Sequence, residues 1–435
     1  MFAAMSSTPA LTSRALTVPA MANFFAAAVI FGLFVLASVA GAERKDITRG
    51  FDEVAHASYV AHIQHSRDIW PAFGDLRMLD PKTFKFTGTG NYLDHPPMFY
   101  ALLAALGPEL EEHPQAILAH RLINVAFSAL GLAVLLGLGL AAGFSRYEYY
   151  AYAVPVACIP ILAPLAGSIN NDNLAFLGGA LATLGVWQLA ATNRGGWLAL
   201  ALIGLVAAAW AKLTGLVLTG GMLGAVIGNL IWRGRWHWPW TIPVAFAFLA
   251  AAAPYAVYVI QYGSAAPDTP ALAAMIQDNV RVLGLADLPR KSFPAYLGFF
   301  VAAFVAEWMP TLSPRGLFNY AMLVIPAAAL ICALAGVVLS LRRLWQRQET
   351  ALDVVVIAGA LSLAVTFALH VRHGYADHLK TGWLMEAYPR YYLPLIAIVP
   401  LAGLSLLAAI ENPRWRNALL GFLIAGPIVF HILGR

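Results

Sequence analysis

The stretch "MANFFAAAVIFGLFVLASVAGAERKDITRGFDEVAHASY" (residues 21–59) decides how the whole chain is read. Met21 to Gly41 is an almost uninterrupted apolar run, and about 20 such residues are what an α-helix needs to cross a bilayer. Charge resumes at once in "AERKD", and two adjacent carboxylates, Asp52 and Glu53, follow with His56. Acids set directly beside a membrane surface either dress a helix end or build a site.

Composition generalises the first reading. Of 435 residues, 60% are hydrophobic and 11% charged, less than half the roughly 25% charge of soluble domains. The chain is therefore expected to be an all-α polytopic membrane protein. Its two cysteines, Cys158 and Cys332, both lie in apolar runs, which excludes a disulfide framework or a cysteine metal site. The net charge of +5 is expected to reflect basic residues held on the cytoplasmic side, not a nucleic-acid partner. Residues 1–20 read as a short cytoplasmic tail before an uncleaved first helix, with cleavage after "ASVAGA" as the alternative.

Spanning-length runs occur at about 21–41, 117–141, 148–166, 173–191, 239–260, 317–341, 352–370, 391–410 and 416–433. The stretch 197–231 is interrupted by "AKLTG" and reads as two short helices meeting near Lys212, making eleven spans. With the amino terminus inside, every inside loop is basic: Arg146, Arg194, Arg233 with Arg235, Arg342 with Arg343 and Arg347, Arg414 with Arg416. The outer segments are then 42–116, 167–172, 211–214, 261–316 and 371–390, and they hold most of the acids and histidines. This requires "FPAYLGFFVAAFVAEWM" (293–309) to be re-entrant or surface-lying; the alternative is a twelfth span. A single membrane domain over 1–435 is expected, with no separate soluble domain. Its long first outer loop (42–116) would carry two short surface helices, "DEVAHASYVAHIQHSRDIW" and "PPMFYALLAAL".

Five groups of polar residues fall on that outer side. Asp52, His56 and Tyr59 stand at i, i+4 and i+7, one face of a helix, with Glu53 beside it. A carboxylate pair can divide labour, one accepting a proton while the other orients; the bland reading is an acidic helix start favourable to the helix dipole. "NYLDHPPMFY" presents His95 at a proline-fixed helix start. "NNDN" supplies Asn170, Asn171, Asp172 and Asn173, more polar groups than the one cap a helix needs. Lys212 is alone in an apolar background, a functional candidate unless it snorkels to the interface. Arg390 lies among Tyr388, Tyr391 and Tyr392, where an arginine fork suits phosphate and an interfacial aromatic belt is the bland account.

These elements together resemble the GT-C superfamily of polyprenyl-phosphate-dependent glycosyltransferases, in particular the protein O-mannosyltransferase and aminoarabinose transferase branch, family 39. The matching residues are Asp52 and Glu53, "HPPMFY" (95–100), "RLIN" (121–124), "NNDN" (170–173), "AKLTG" around Lys212 and "PRYYLPL" (389–395). The resemblance implies a GT-C membrane fold with a cavity on the outer, periplasmic face of a bacterial inner membrane, fed by a sugar on a polyprenyl phosphate. It implies that Asp52 acts on the acceptor as general base, supported by Glu53. Lys212 and Arg390, with Tyr391, would contact the donor phosphate. His56, Tyr59, His95, Asn171, Asp172 and Asn173 are the expected substrate-binding set. The chain is short for this branch, and the large soluble domain of several relatives is not expected in it.

The expected reaction is inverting transfer without a bound nucleotide, since a lipid brings the donor. No cofactor is implied with certainty; a divalent metal is conceivable because His62, His65 and Asp68 stand at i, i+3 and i+6, a ladder that drifts around a helix and matches no established ligand signature. Two other classes stay open: a transporter or lipid flippase using Lys212 along a substrate path, and a non-catalytic glycan-binding protein of the same fold.

Overall fold

The computed structural model describes residues 18–285, 288–306, 324–384 and 388–433. Most of the expected tail (1–17) and the end of 293–309 lie outside the described residues. The chain is helical throughout its apolar runs. Helix α1 (Val18–Arg44) is followed by a folded segment containing α2 (Glu53–Ser66), a hairpin of β1 (Arg77–Leu79) and β2 (Phe86–Gly90), and α3 (Met98–Leu106). Then come α4 (Ile117–Ala141), α5 (Arg146–Ala157), α6 (Leu162–Ala166), α7 (Asp172–Thr192), α8 (Gly195–Ala211), α9 (Leu213–Trp232) and α10 (Thr241–Tyr262). The last part has α11 (Pro270–Val282), α12 (Phe293–Ala306), α13 (Val324–Trp345), α14 (Ala351–Thr381), a 3-10 segment (Pro389–Leu395), α15 (Ile398–Leu407) and α16 (Pro413–Leu433).

Among the described residues, eight helices are long and apolar enough to cross a membrane, or nine if the 3-10 segment and α15, bent by 62°, form one span. The expected eleven would also need α8, which has 17 residues, and the broken α5–α6 pair to cross. The run at 148–166 is not one helix because it parts at residues 158–161, between Pro155 inside α5 and the start of α6. The described part of α12, 14 residues, covers about 21 Å of a hydrocarbon core of roughly 30 Å. Its Tyr296 and Phe300 pack on Tyr375, His378 and Phe367 of α14.

Helix α14 runs 31 residues, past residue 370 where its apolar stretch was expected to end. Asp377 continues it by pairing with His373 (i−4, 3.3 Å) and Lys380 (i+3, 3.8 Å), and Gly382, at φ +82°, stops it in the left-handed conformation that glycine adopts without penalty. At the opposite end of the bundle, buried Asp353 accepts from Arg343 and Ser340, tying α14 to α13, while Ser405 of α15 joins the same cluster. Arg416 reaches Glu148 at that end too.

The segment between α1 and α4 forms its own apolar cluster, with Leu76, Phe99, Leu103 and Leu110 fully buried. It seats against the bundle through Ile169, Tyr255 and Tyr258. The β-hairpin in it was not expected from the sequence. Helix α2 stops at Ser66 instead of running to Trp70, because Arg67 turns left-handed (φ 62°). Glycine sets one packing distance that matters for the site: a Cβ on Gly179 of α7 would overlap the Pro394 carbonyl, so only glycine lets the 3-10 segment carrying Arg390 lie this close.

Candidate active site

Gly50, Phe51 and Asp52 all have positive φ (80°, 62° and 56°), a left-handed turn at the threshold of α2. Left-handed backbone is uncommon for phenylalanine and tolerated by aspartate. The Asp52 side chain therefore makes no cap bond to α2 and does not share the helical face expected of Asp52, His56 and Tyr59. The turn splits the acid pair. Asp52 reaches across the chain to Arg390, whose Nη2 lies 2.7 Å from Oδ2, and accepts from the Tyr92 hydroxyl at 3.0 Å. Glu53, one residue on, points into the bundle.

The Glu53 carboxylate is closed to solvent and fully engaged. Arg121 Nε and Nη2 donate to its two oxygens at 2.8 and 2.9 Å, the bidentate fork that suits a carboxylate. Lys45 lies 3.2 Å away, and the Ile169 backbone N–H donates at 2.9 Å. Arg121 also donates to the carbonyls of Ala42 and Lys45, 2.8 Å each, so this cluster fixes the end of α1 against α4. Every polar contact of Glu53 is thus spent on holding α1, α4 and the entrance of α7 together.

The second half of the network runs through α7. Asp172 Oδ1 accepts from Lys212 Nζ at 3.0 Å, and its Oδ2 lies 3.5 Å from Arg390 Nε. Lys212 sits at the break between α8 and α9, in extended backbone (φ −165°, ψ 146°), and its ammonium stands 3.4 Å over the Tyr391 ring. Asp52, Arg390, Asp172 and Lys212 thus form one chain of charges drawn from four separate places in the sequence. Asp172 Oδ2, Arg390 Nε and Asn171 Oδ1 are buried without a hydrogen-bond partner, an arrangement native proteins keep for a reason. The charges fall into two groups, Lys45 and Arg121 on Glu53, and Lys212 and Arg390 on Asp172 and Asp52.

The remaining expected residues divide. Asn173 is consumed by structure: its amide donates to Asn124, Leu165 and Ser168, and its oxygen accepts from Ser128. Asn171 donates to the Ala211 carbonyl at 2.7 Å, holding the end of α8. Asn170 donates to the Phe51 carbonyl and to His56 Nε2, and its oxygen accepts from the Asp172 backbone. That pattern makes His56 Nε2 an acceptor, so His56 carries its proton on Nδ1, facing the Tyr100 hydroxyl at 3.0 Å. Tyr59 stacks on Tyr100 at 4.0 Å, so it supports this aromatic wall from behind.

His95 lies 6.0 Å from His56, ring to ring, with its carbonyl held by Tyr258. Burial drives both imidazoles well below the ordinary histidine range, and the nearby cations push the same way, so both are neutral. Burial acts upward on Asp52, but Arg390 and Tyr92 outweigh it and hold the carboxyl below its usual value. Asp52 is thereby held in its ionised form.

Sequence reasoning passed over three residues here. Tyr92 and Lys45 flank the motifs and gave no signal beyond proximity. Asp94, beside His95 in "LDHPP", is half-buried, and burial pushes its carboxyl up to about 6. The conceivable metal ladder does not assemble: His65 turns to Glu111 at 2.7 Å, and no three metal-ligating side chains converge among the described residues.

No family model matches the chain, and no curated protein matches it in sequence. The solved structures do. ArnT from Cupriavidus metallidurans in the apo state superposes with a TM-score of 0.51 at 12% identity, over 92% of this chain and 62% of that one. The Archaeoglobus fulgidus oligosaccharyltransferase in the apo form gives a TM-score of 0.50 at 14% identity, over 94% and 56%. The fold is GT-C-like. The chain spans about three fifths of the length of these two proteins, and at this identity the likeness is one of fold. A polytopic membrane protein of this architecture has set its charged network at one end of the helix bundle.

Proposed function

We propose that the protein is an integral membrane glycosyltransferase that moves a sugar from a polyprenyl phosphate to an acceptor on the outer, periplasmic face of a bacterial inner membrane. The observation that carries this reading is the Asp52–Arg390–Asp172–Lys212 chain, which gathers two cations on two carboxylates and leaves Arg390 Nε and Asp172 Oδ2 in an ion pair without a hydrogen bond. The fold shared with an oligosaccharyltransferase points the same way.

In the proposed step the acceptor hydroxyl gives its proton to Asp52 while its oxygen bonds the anomeric carbon from the side opposite the phosphate. The carbon–oxygen bond to the phosphate breaks, its electron pair leaves with the polyprenyl phosphate, and configuration inverts. Lys212 and Arg390 stabilise the charge growing on that phosphate. Donor binding and base activation are coupled through Arg390: a phosphate drawing the guanidinium toward itself loosens its hold on Asp52 and restores the basicity that the ion pair suppresses. The test is transfer from labelled polyprenyl-phosphate sugars by protein in nanodiscs, wild type against Asp52→Asn. Loss in a folded variant supports the reading; undiminished turnover rejects it.

A further inference from the structure

The charged chain is not the only feature at this end of the bundle. A separate cavity of about 470 Å³ opens between the end of α10, the loop before α11 and the projecting part of α14, within the roughly 300–1,000 Å³ of small-molecule sites. Its walls include Phe73, Tyr262, Asp268, His373, Asp377 and Lys380. Tyr262 stacks on buried Phe73 at 4.9 Å and 18°, and remains 38% exposed, which makes it a backed aromatic plate.

The two places differ in charge. Around Arg390 two cations, Arg390 and Lys212, balance Asp52 and Asp172. In the second cavity two carboxylates, Asp268 and Asp377, stand against one lysine, and that lysine is pinned on Asp377 and mostly solvated. An incoming anion meets net negative charge there. Hydroxyl groups meet carboxylate acceptors, and the C–H face of a sugar ring meets the tyrosine plate. A short path joins the two: Tyr258 lies 6.0 Å from Tyr262, ring to ring, and donates to the His95 carbonyl, and the His95 ring pairs with Asp94 at 3.3 Å and lies 6.0 Å from His56.

We propose that this second cavity is the acceptor subsite and that it takes an uncharged glycan through its hydroxyls, excluding phosphorylated acceptors. The proposal rests on the glycosyltransferase reading and names the acceptor class for it. The glycan lies on Tyr262, donates to Asp268 and Asp377, and extends the reacting hydroxyl past Asp94 toward Asp52.

Saturation-transfer NMR on the full chain in nanodiscs tests it, with methyl hexopyranosides and a neutral trisaccharide as probes beside hexose 6-phosphates. The expected result is transfer to a neutral glycoside and none to the phosphates. The signal falls about tenfold in Tyr262→Ala and in Asp268→Asn, the loss of a stacking plate or of a charge-assisted hydrogen bond. Both changes lie on exposed side chains, and an unchanged thermal midpoint shows that the variants are folded. No transfer to any neutral probe, equal transfer to the phosphates, or a signal indifferent to both substitutions overturns the proposal. Polyprenyl phosphate binding, followed on the same samples by thermal shift, separates the two readings. Lipid binding without glycoside binding rejects the acceptor subsite alone; glycoside binding without lipid binding rejects the donor reading and leaves the subsite standing.

Discussion

Arg390 and Asp52 stand 338 residues apart in the chain and 2.7 Å apart in the fold. The pair joins the loop after α1 to the 3-10 segment before α15, so the two ends of the chain meet at one charge contact. It holds Asp52 ionised and, by the same interaction, weakens it as a base. Asp52→Asn is expected to cut transfer by about 10²- to 10⁴-fold, the contribution of a positioned general base. Asp52 is partly exposed, so the thermal midpoint should move little; the two measurements together distinguish lost chemistry from lost fold.

Glu53 should behave in the opposite way. Its side chain is fully buried against Arg121 and Lys45, and removing one partner of such a cluster leaves charge uncompensated in a low-dielectric interior, at about 3–5 kcal/mol. Glu53→Ala is expected to lower the unfolding midpoint and the yield of folded protein sharply. Whatever folded fraction survives should bind polyprenyl phosphate, which wild-type and variant thermal shifts can compare. A stable Glu53→Ala protein with abolished turnover would move Glu53 back into the chemistry.

The different fates of these adjacent acids show where the sequence was legible. Isolated charges in an apolar chain stand out, and Asp52, Asp172, Lys212 and Arg390 do converge, because burying any one of them alone would be prohibitive. The polytopic class and the helical runs followed from hydrophobic length for the same reason. The split of Asp52 from Glu53 was not legible, since it depends on a left-handed turn at 50–52 that only the surrounding structure imposes. That the amide and oxygen of Asn173 are taken up by Asn124, Leu165, Ser168 and Ser128 was not legible either, because a polar tract does not say which of its members will find partners inside. Asp94 was overlooked since its distinction is burial, which spacing does not encode.

Asp172 and Lys212 are expected to be energetically coupled. Asp172→Asn leaves the buried Lys212 ammonium with the Tyr391 ring as its main compensation and should destabilise strongly, while Asp172→Asn combined with Lys212→Met removes both charges and should recover part of the loss. An unfolding titration over the double-mutant cycle reads the coupling; additive effects would mean that the 3.0 Å contact contributes nothing in the membrane. Lys212→Met alone should weaken polyprenyl phosphate binding by about tenfold or more, the worth of a charged hydrogen bond.

Asp94 makes the last prediction one of pH. Burial, with Asp268 adding to it and Lys212 and His373 opposing it, pushes the carboxyl from 3.8 up to about 6. The folded protein then holds this proton more tightly than the unfolded chain does. Between those two values the folded state binds more protons, so this group's contribution to stability is greatest below about pH 4 and is lost as pH rises through about 6. Asp94→Asn carries no such proton and lacks that slope. The difference in unfolding midpoint, variant minus wild type, should therefore increase between about pH 4.5 and about pH 7.5, by an amount on the order of 1–2 kcal/mol expressed as free energy. A difference that stays flat across this range would mean that Asp94 titrates as a solvated carboxylate, in contact with water and not enclosed beside His95.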